Sequence, residues 1–151
     1  MKNDYKPIFN QQNRQALHQN YLNNLFSQNQ NNLMITGSNL FVLKSKDLRI
    51  IIGLIYIKEL HWSKRGGEFA YCIDYNYKGR GITTQVIQTS SSYAFENLGL
   101  AILQIIVHKT NTNSIKVKEK CNFTWIRTLL NSYTPPGKEL LDMEFYERYK
   151  S

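Results

Sequence analysis

The residues whose types and spacing are best suited to chemistry run Asn76-Tyr77-Lys78-Gly79-Arg80-Gly81-Ile82-Thr83. Two glycines separated by one residue stand between an apolar run and a long helical pattern. Where a strand ends and a helix opens, the backbone amides form a concave set of donors. The first helical turn adds unpaired N–H groups at the positive end of the helix dipole. Glycine lets that backbone approach an anion with no side chain in the way, and Lys78 and Arg80 add charge. Phosphate is the natural guest of such a turn, although the same Gly-x-Gly spacing also serves as plain turn chemistry.

A second candidate lies downstream, where Asn111-Thr112-Asn113-Ser114 is rich in side chains that cap helices. Two strand ends that both feed helix starts create a cleft, and two anion-friendly ends can share one ligand. The other reactive residues are scattered. Cys72 and Cys121 are too few for a disulfide framework, lack metal-ligand spacing and read as buried thiols. His18, His61 and His108 form no HExxH or His/Cys cluster, so no metal is expected.

Several elements must position these groups. Leu17, Tyr21 and Leu25, with Leu22 and Phe26, recur at helical spacing, predicting an amphipathic helix over Gln11 to Ser27. The asparagines from Asn29 to Asn32 end it, and Gly37-Ser38 reads as a turn. Strands are predicted over Asn39 to Lys44 and Arg49 to Lys58, joined by Ser45-Lys46-Asp47. Ile50-Ile51-Ile52 and Leu54-Ile55 predict a central strand covered on both faces. A turn over Trp62 to Gly67 precedes a strand from Glu68 to Asp74, which leads into the glycine loop. A helix from Gly81 to Leu98 stops at Gly99. A buried strand follows at Ala101 to Val107, then a short basic helix to about Cys121. Phe123 to Leu130 and Leu140 to Tyr149 form a closing hairpin around Pro135-Pro136-Gly137. The predicted order is helix, three strands, helix, strand, helix, two strands. It describes a single mixed α/β domain over 1–151, with an N-terminal helical segment at 1–37 and a sheet core at 38–151.

Composition narrows the class. The chain has 151 residues, 42% hydrophobic and 13% aromatic, which fits a globular domain with one buried core. No apolar run is long enough to span a bilayer and Met1 to Asn20 has no signal-peptide core, so a cytoplasmic protein away from membranes is expected. Nineteen Lys and Arg against eleven Asp and Glu give a net charge of +8. Such a field favours a polyanionic ligand, an acidic protein surface or nucleic acid. The bases cluster: residues 1–43 hold only Lys2, Lys6 and Arg14, whereas Lys109, Lys116, Lys118 and Lys120 surround the second helix start.

Four segments in order carry a family resemblance: Tyr77 to Thr83, Tyr93 to Leu100, Asn111 to Ser114, and Glu119-Lys120-Cys121-Asn122-Phe123. Together they resemble the GNAT-fold N-acetyltransferases, and more narrowly the RimJ/RimL type that acetylates ribosomal-protein N-termini. A Rossmann fingerprint would need a third glycine, which Ile82-Thr83-Thr84 does not offer, and a P-loop would need Gly-Lys-Ser/Thr. The resemblance implies acetyl-CoA as co-substrate and no metal. Its Q/R-x-x-G-x-G/A motif falls on Asn76 to Gly81, with Asn76 at the Gln/Arg position. Cofactor contacts are thereby implied at Ile73, Lys78, Gly79, Arg80, Gly81, Ile82, Thr83, Asn111 and Ser114.

Other roles follow from the same resemblance. Relatives carry a thiolate-protonating tyrosine where this chain has Lys118, which leaves Ser114 as the candidate to donate a proton or hydrogen bond to the leaving thiolate. Glu68 is the candidate base or grip for the amine. Tyr71 would line the acceptor side, with Ala70 replacing a family glycine. Asn122 replaces the usual glycine before Phe123 and is the non-glycine residue best suited to αL geometry. The fold's first strand and helix are expected to be lacking.

The chemistry asks for little covalent participation: an amine attacks a thioester directly, so orientation, oxyanion stabilisation and a proton acceptor suffice. At pH 7, deprotonation costs about 1 kcal/mol for a peptide α-amine and about 4.6 kcal/mol for a lysine. A protein N-terminal amine is therefore the expected acceptor, in a monomer or homodimer. The alternatives are a small amine such as a polyamine or aminoglycoside, or a non-catalytic CoA-sensing or RNA/ribosome-docking module.

Overall fold

The structure, a computed structural model, describes residues 19–23, 25–26, 31–36, 39–77, 79, 81–137 and 139–151. Lys78 and Arg80 lie outside them, as does the part of the expected first helix before residue 19. Residues 19–23 are helical (α1). Leu22 and Phe26 are buried and Tyr21 packs beside them, the apolar stripe that the spacing predicts.

Gln19 does something no periodicity foretold. Its Nε2 donates to the Leu33 carbonyl at 3.1 Å, and its Oε1 accepts from the Ile35 N–H at 3.0 Å. Leu33 and Ile35 belong to β1 (Asn31–Thr36), which is an edge strand. One carboxamide thus occupies part of an edge that would otherwise present open peptide groups.

β1 itself was not expected, because Asn31 and Asn32 read as the end of a helix. Its pairing with β2 (Leu40–Ser45) sets Leu33 opposite Leu43 and Ile35 opposite Phe41. Leu33, Leu43 and Phe41 are all fully buried. Burial of those side chains outweighs the poor strand propensity of two asparagines. The residues up to 37 therefore contribute a strand to the sheet as well as helical residues.

β2 turns into β3 (Ile51–His61) through the expected polar turn, where Ser45 Oγ and Asp47 Oδ1 are 2.7 Å apart. β3 carries a bulge at Ile52, which is buried, and alternates between buried and exposed positions from Gly53 to Lys58. Ile55 and Ile57 are buried, whereas Ile51 is 56% exposed and Leu54 38% exposed. The expectation of a strand covered on both faces is corrected: only one face is buried.

β4 (Gly66–Ile73) starts two residues earlier than its sequence implied. Position 67 within the strand is glycine because a Cβ there would stand 2.5 Å from Ile57 Cγ2.

A 3-10 turn at Tyr75–Tyr77 leads to α2 (Ile82–Glu96), then β5 (Ile102–His108), α3 (Thr112–Lys120), β6 (Thr124–Tyr133) and β7 (Leu141–Tyr149). α2 buries Val86, Ile87, Tyr93 and Ala94, and Tyr93 meets Phe41 edge-on with ring centroids 5.4 Å apart. Gly99 takes φ +73 just past its end, as expected. α3 ends on Asn122 at φ 66, and the Phe123 N–H returns to the Lys118 carbonyl at 2.9 Å. That is the Schellman closure, with asparagine in the left-handed position.

The sheet order is β1-β2-β3-β4-β5-β7-β6. Among the described strands only β4 and β5 are parallel, and they pair at Gly66–Ile102, Gly67–Leu103 and Glu68–Gln104. Beyond Glu68 the two strands run on without each other, β4 to Ile73 and β5 to His108, while β5 keeps its pairing with β7 on the other side. The mixed α/β class is as the sequence predicts, and the splay of these two strands positions the site.

Candidate active site

The splay opens a cleft of about 680 Å³. Its walls are β4 from Glu68 to Ile73, β5 from Ile105 to Val107, the loop and first turn of α2, and α3 from Asn111 to Lys120. Because β4 has lost β5 as a partner there, both faces of β4 reach the cleft. Ile55 and Ile57 of β3 are buried opposite Tyr71 and Phe69, which marks the core face. Lys58 and Tyr56 pair with Glu68 and Ala70 on the exposed face.

The two expected acceptor-side residues therefore stand on opposite faces of β4. Glu68 pairs with Lys58 at 3.4 Å on the exposed face. Tyr71 points toward α3, where its hydroxyl lies 2.6 Å from Ser114 Oγ. Both residues still line the one cleft, from its two sides.

At the other end, Gly79 and Gly81 line the cleft with φ +76 and +77. A Cβ on either would meet nothing within 4 Å, so the space in front of this backbone is open. Gly81 is the N-cap of α2 and offers no side chain to its first-turn amides. Those amides remain available to an anion. Thr83 lines the cleft beside them, whereas the Ile82 side chain turns into the core and contributes only its backbone. Ile73, at the end of β4, also lines the cleft. Lys116 and Lys120, both exposed, add positive charge along α3. A nucleotide with phosphates at one end and a long arm fits this lining: free first-turn amides and lysines for the phosphates, apolar Ile73, Ile105 and Val107 for the arm.

The Asn111 side chain is engaged in capping α3, where its Oδ1 accepts from the Ser114 N–H at 3.2 Å. That bond fixes the first turn and hence the direction of the Ser114 hydroxyl. One turn on, at i+4, Lys118 projects to the same place. Its Nζ donates to the Tyr71 hydroxyl at 3.0 Å, to the Ser114 carbonyl at 3.2 Å and to Ser114 Oγ. The ammonium also lies 5.3 Å from the centre of the Tyr71 ring.

Lys118 is 1% exposed. Burial pulls its pKa from the usual 10.5 down to about 8, and burial likewise pushes the Tyr71 phenol up. Sequence reasoning marked Lys118 only as a departure from a family tyrosine. Its i+4 spacing from Ser114 was the available signal that the two share a helix face.

The cysteines divide. Cys121 is buried as expected, its Sγ 3.4 Å from the Thr84 carbonyl, and burial pushes its thiol up to about 11. Cys72 is exposed on the Glu68 face, which corrects the expectation of two buried thiols. Among the described residues no group of His, Cys, Asp or Glu is arranged to hold a metal. No described helix is long and apolar enough to cross a membrane.

Comparison with known proteins agrees with this layout. Residues 2–124 match the acetyltransferase (GNAT) domain family. The spermidine N(1)-acetyltransferase of Escherichia coli (strain K12) is 30% identical over 86 residues, 57% of this chain and 46% of that protein. The chain thus spans about half the length of the curated relatives it matches. Among solved structures, a chimera of the spermidine N-acetyltransferase SpeG from Vibrio cholerae and hSSAT superposes with a TM-score of 0.69 at 22% identity, covering 75% of this chain and 68% of that one. The ribosomal-protein-S5-alanine acetyltransferase from Vibrio fischeri gives a TM-score of 0.69 at 19% identity, covering 73% and 60%. These likenesses share the fold. With a family match that runs through the glycine loop and both cleft helices, the chain belongs to the acetyltransferase (GNAT) domain family.

Proposed function

We propose that this chain is an acetyl-CoA-dependent N-acetyltransferase and that its acceptor is a protein N-terminal α-amine, as in the RimJ/RimL type. The observation that carries the activity is the cleft at the β4–β5 splay, with an open glycine cradle at one end and lining residues on both faces of β4. Acetyl-CoA would supply an activated thioester carbonyl. The first-turn amides of α2, with Gly79, Gly81 and Thr83, would hold its phosphates, and Ile73, Asn111 and Ser114 would border its arm. Beyond Glu68 the edge of β4 that faces β5 has no strand partner, so peptide N–H groups on that edge are available to polarise a carbonyl. Glu68 would grip the incoming amine or take its proton, and the Ser114 hydroxyl would face the departing sulfur.

Two observations divide the acceptor. Among the described residues, Lys58, Lys116, Lys118 and Lys120 line the cleft against the single carboxylate of Glu68, which already pairs with Lys58. Such a lining repels a polycation and admits a peptide N-terminus more readily. The relatives' names favour a polyamine instead, spermidine being the acceptor named for the E. coli protein. Thiol release from acetyl-CoA, measured with spermidine, an aminoglycoside and N-terminally free peptides, separates these readings. Turnover confined to peptides supports the first and turnover confined to spermidine supports the second. Acetyl-CoA binding without acceptor-dependent thiol release would leave a CoA-sensing module, and no binding at all would refute the activity.

A further inference from the structure

Among the described residues, Lys118 is a buried ammonium with no anion beside it. The ion pairs among the described residues are Arg49–Asp47 and Lys58–Glu68, and Lys118 is in neither. Its three N–H donors are directed at three oxygens: the Tyr71 hydroxyl, Ser114 Oγ and the Ser114 carbonyl. That set satisfies the protonated amine and leaves its charge uncompensated. A buried cation held by neutral acceptors is costly unless an anion arrives. The cluster borders the cleft: Tyr71, Ser114 and Lys118 all line it, as do the apolar Ile105 and Val107 of β5. The acetyl-transfer reading requires a reaction that develops a second anion after the carbonyl oxyanion, the sulfur of the leaving thiol, when the carbon–sulfur bond breaks.

We propose that Lys118 is the proton donor to the leaving sulfur, acting through the hydroxyls of Tyr71 and Ser114, an assignment that rests on the acetyl-CoA reading above. The bookkeeping of atoms closes. The amine nitrogen bonds to the acyl carbon, the carbon–sulfur bond breaks and its electron pair goes to sulfur. One proton passes from Lys118 Nζ to a bridging hydroxyl and from that hydroxyl to sulfur. The new amide nitrogen loses its surplus proton to Glu68 or solvent, and solvent returns a proton to Lys118. Ser114 becomes a relay and positioning group, and the source of the proton moves one turn along α3.

The surroundings suit that role. The titratable and charged groups around Lys118 are Tyr71 from β4, Cys121 at the end of α3 and, beyond that thiol, Arg148 from β7, which donates to the Cys121 carbonyl at 3.1 Å. Burial raises Tyr71 and Cys121, so both stay protonated through neutral pH. Lys118 is the member of the group whose proton is held loosely enough to leave near neutrality, since burial lowers it to about 8.

The test follows Lys118 directly, by NMR titration of the wild-type protein with 13C-labelled lysine, assigned with Lys118→Arg. It is run free, with CoA, and with desulfo-CoA, which lacks only the sulfur. If Lys118 faces the sulfur, CoA moves its titration upward and desulfo-CoA does not. The same titration with both ligands bound would overturn the proton-donor role and leave the acetyl-CoA reading standing. Calorimetry showing that neither ligand binds would remove both. Kinetics adds a second readout. Lys118→Met and Lys118→Arg should each lower kcat about 100-fold or more with little change in KM for acetyl-CoA. Both should also lose the alkaline fall in kcat near pH 8. Retention of that fall in either folded variant, or intact-mass detection of acetyl on Lys118 as the main product, would overturn the proposal.

Discussion

The Tyr71 hydroxyl and Ser114 Oγ stand 2.6 Å apart, joining β4 to α3 across 43 residues of sequence. With Lys118 they close one wall of the cleft just where β5 has left β4. Removing the hydroxyl takes an acceptor from a buried ammonium. Tyr71→Phe should therefore destabilise the fold by about 1–3 kcal/mol. Urea denaturation at pH 7 reads this loss, and a variant as stable as the parent would show that the bond contributes nothing net.

Lys118 also makes stability depend on pH in a definite direction. Its folded pKa, about 8, lies below its usual 10.5. Between those values the unfolded chain binds a proton that the folded chain lacks, so stability rises with pH across the window. Below about 8 the penalty of the buried charge is fully present. Cys121 runs the other way: burial raises it from 9.0 to about 11, so its contribution is present below 9 and lost above. From pH 8 to 9, therefore, Lys118 dominates this pair, and stability should climb by about 1 kcal/mol. Lys118→Met should abolish the climb, measured as the shift in denaturation midpoint.

The glycine cradle separates conformational from ligand effects. Gly79 and Gly81 hold φ +76 and +77 with nothing in front of them. Gly81→Ala should cost about 1–2 kcal/mol of stability through its left-handed backbone alone. Gly79→Val and Gly81→Val should in addition lower acetyl-CoA affinity by at least about 10-fold, because a branched side chain would stand between the amides and an anion. Calorimetric affinities unchanged in folded variants would make the loop purely structural.

Glu68 sits on the face away from Ser114, paired with Lys58 at 3.4 Å. Glu68→Gln should thus raise KM for the amine acceptor several-fold while acetyl-CoA affinity stays within about twofold. An equal change in both constants would place Glu68 outside the acceptor side.

The parts of this protein that sequence determined are local. The Asn76–Thr83 loop, α2 with its Gly99 stop, the Asn111 cap, the αL turn at Asn122 and the closing hairpin all follow from residue type and short-range periodicity, because each is closed by groups a few positions apart. The order of these motifs was enough for the family. Tertiary structure decided what depends on distant partners. β1 forms because Leu33 and Ile35 meet Leu43 and Phe41, against the propensity of Asn31 and Asn32. Gly67 is a strand residue because it pairs with Leu103 of β5, and it is glycine because Ile57 leaves no room for a Cβ. Ile51 and Leu54 are exposed because only one face of β3 meets the core, a fact that an apolar run cannot express. The site divides the same way. Its glycines were legible, whereas the separation of Glu68 from Tyr71 and the burial of Lys118 arise from where β4 parts from β5 and how α3 lies against β4. A lysine in a sequence reads as solvated charge; only the packing around Nζ makes it a buried cation awaiting an anion.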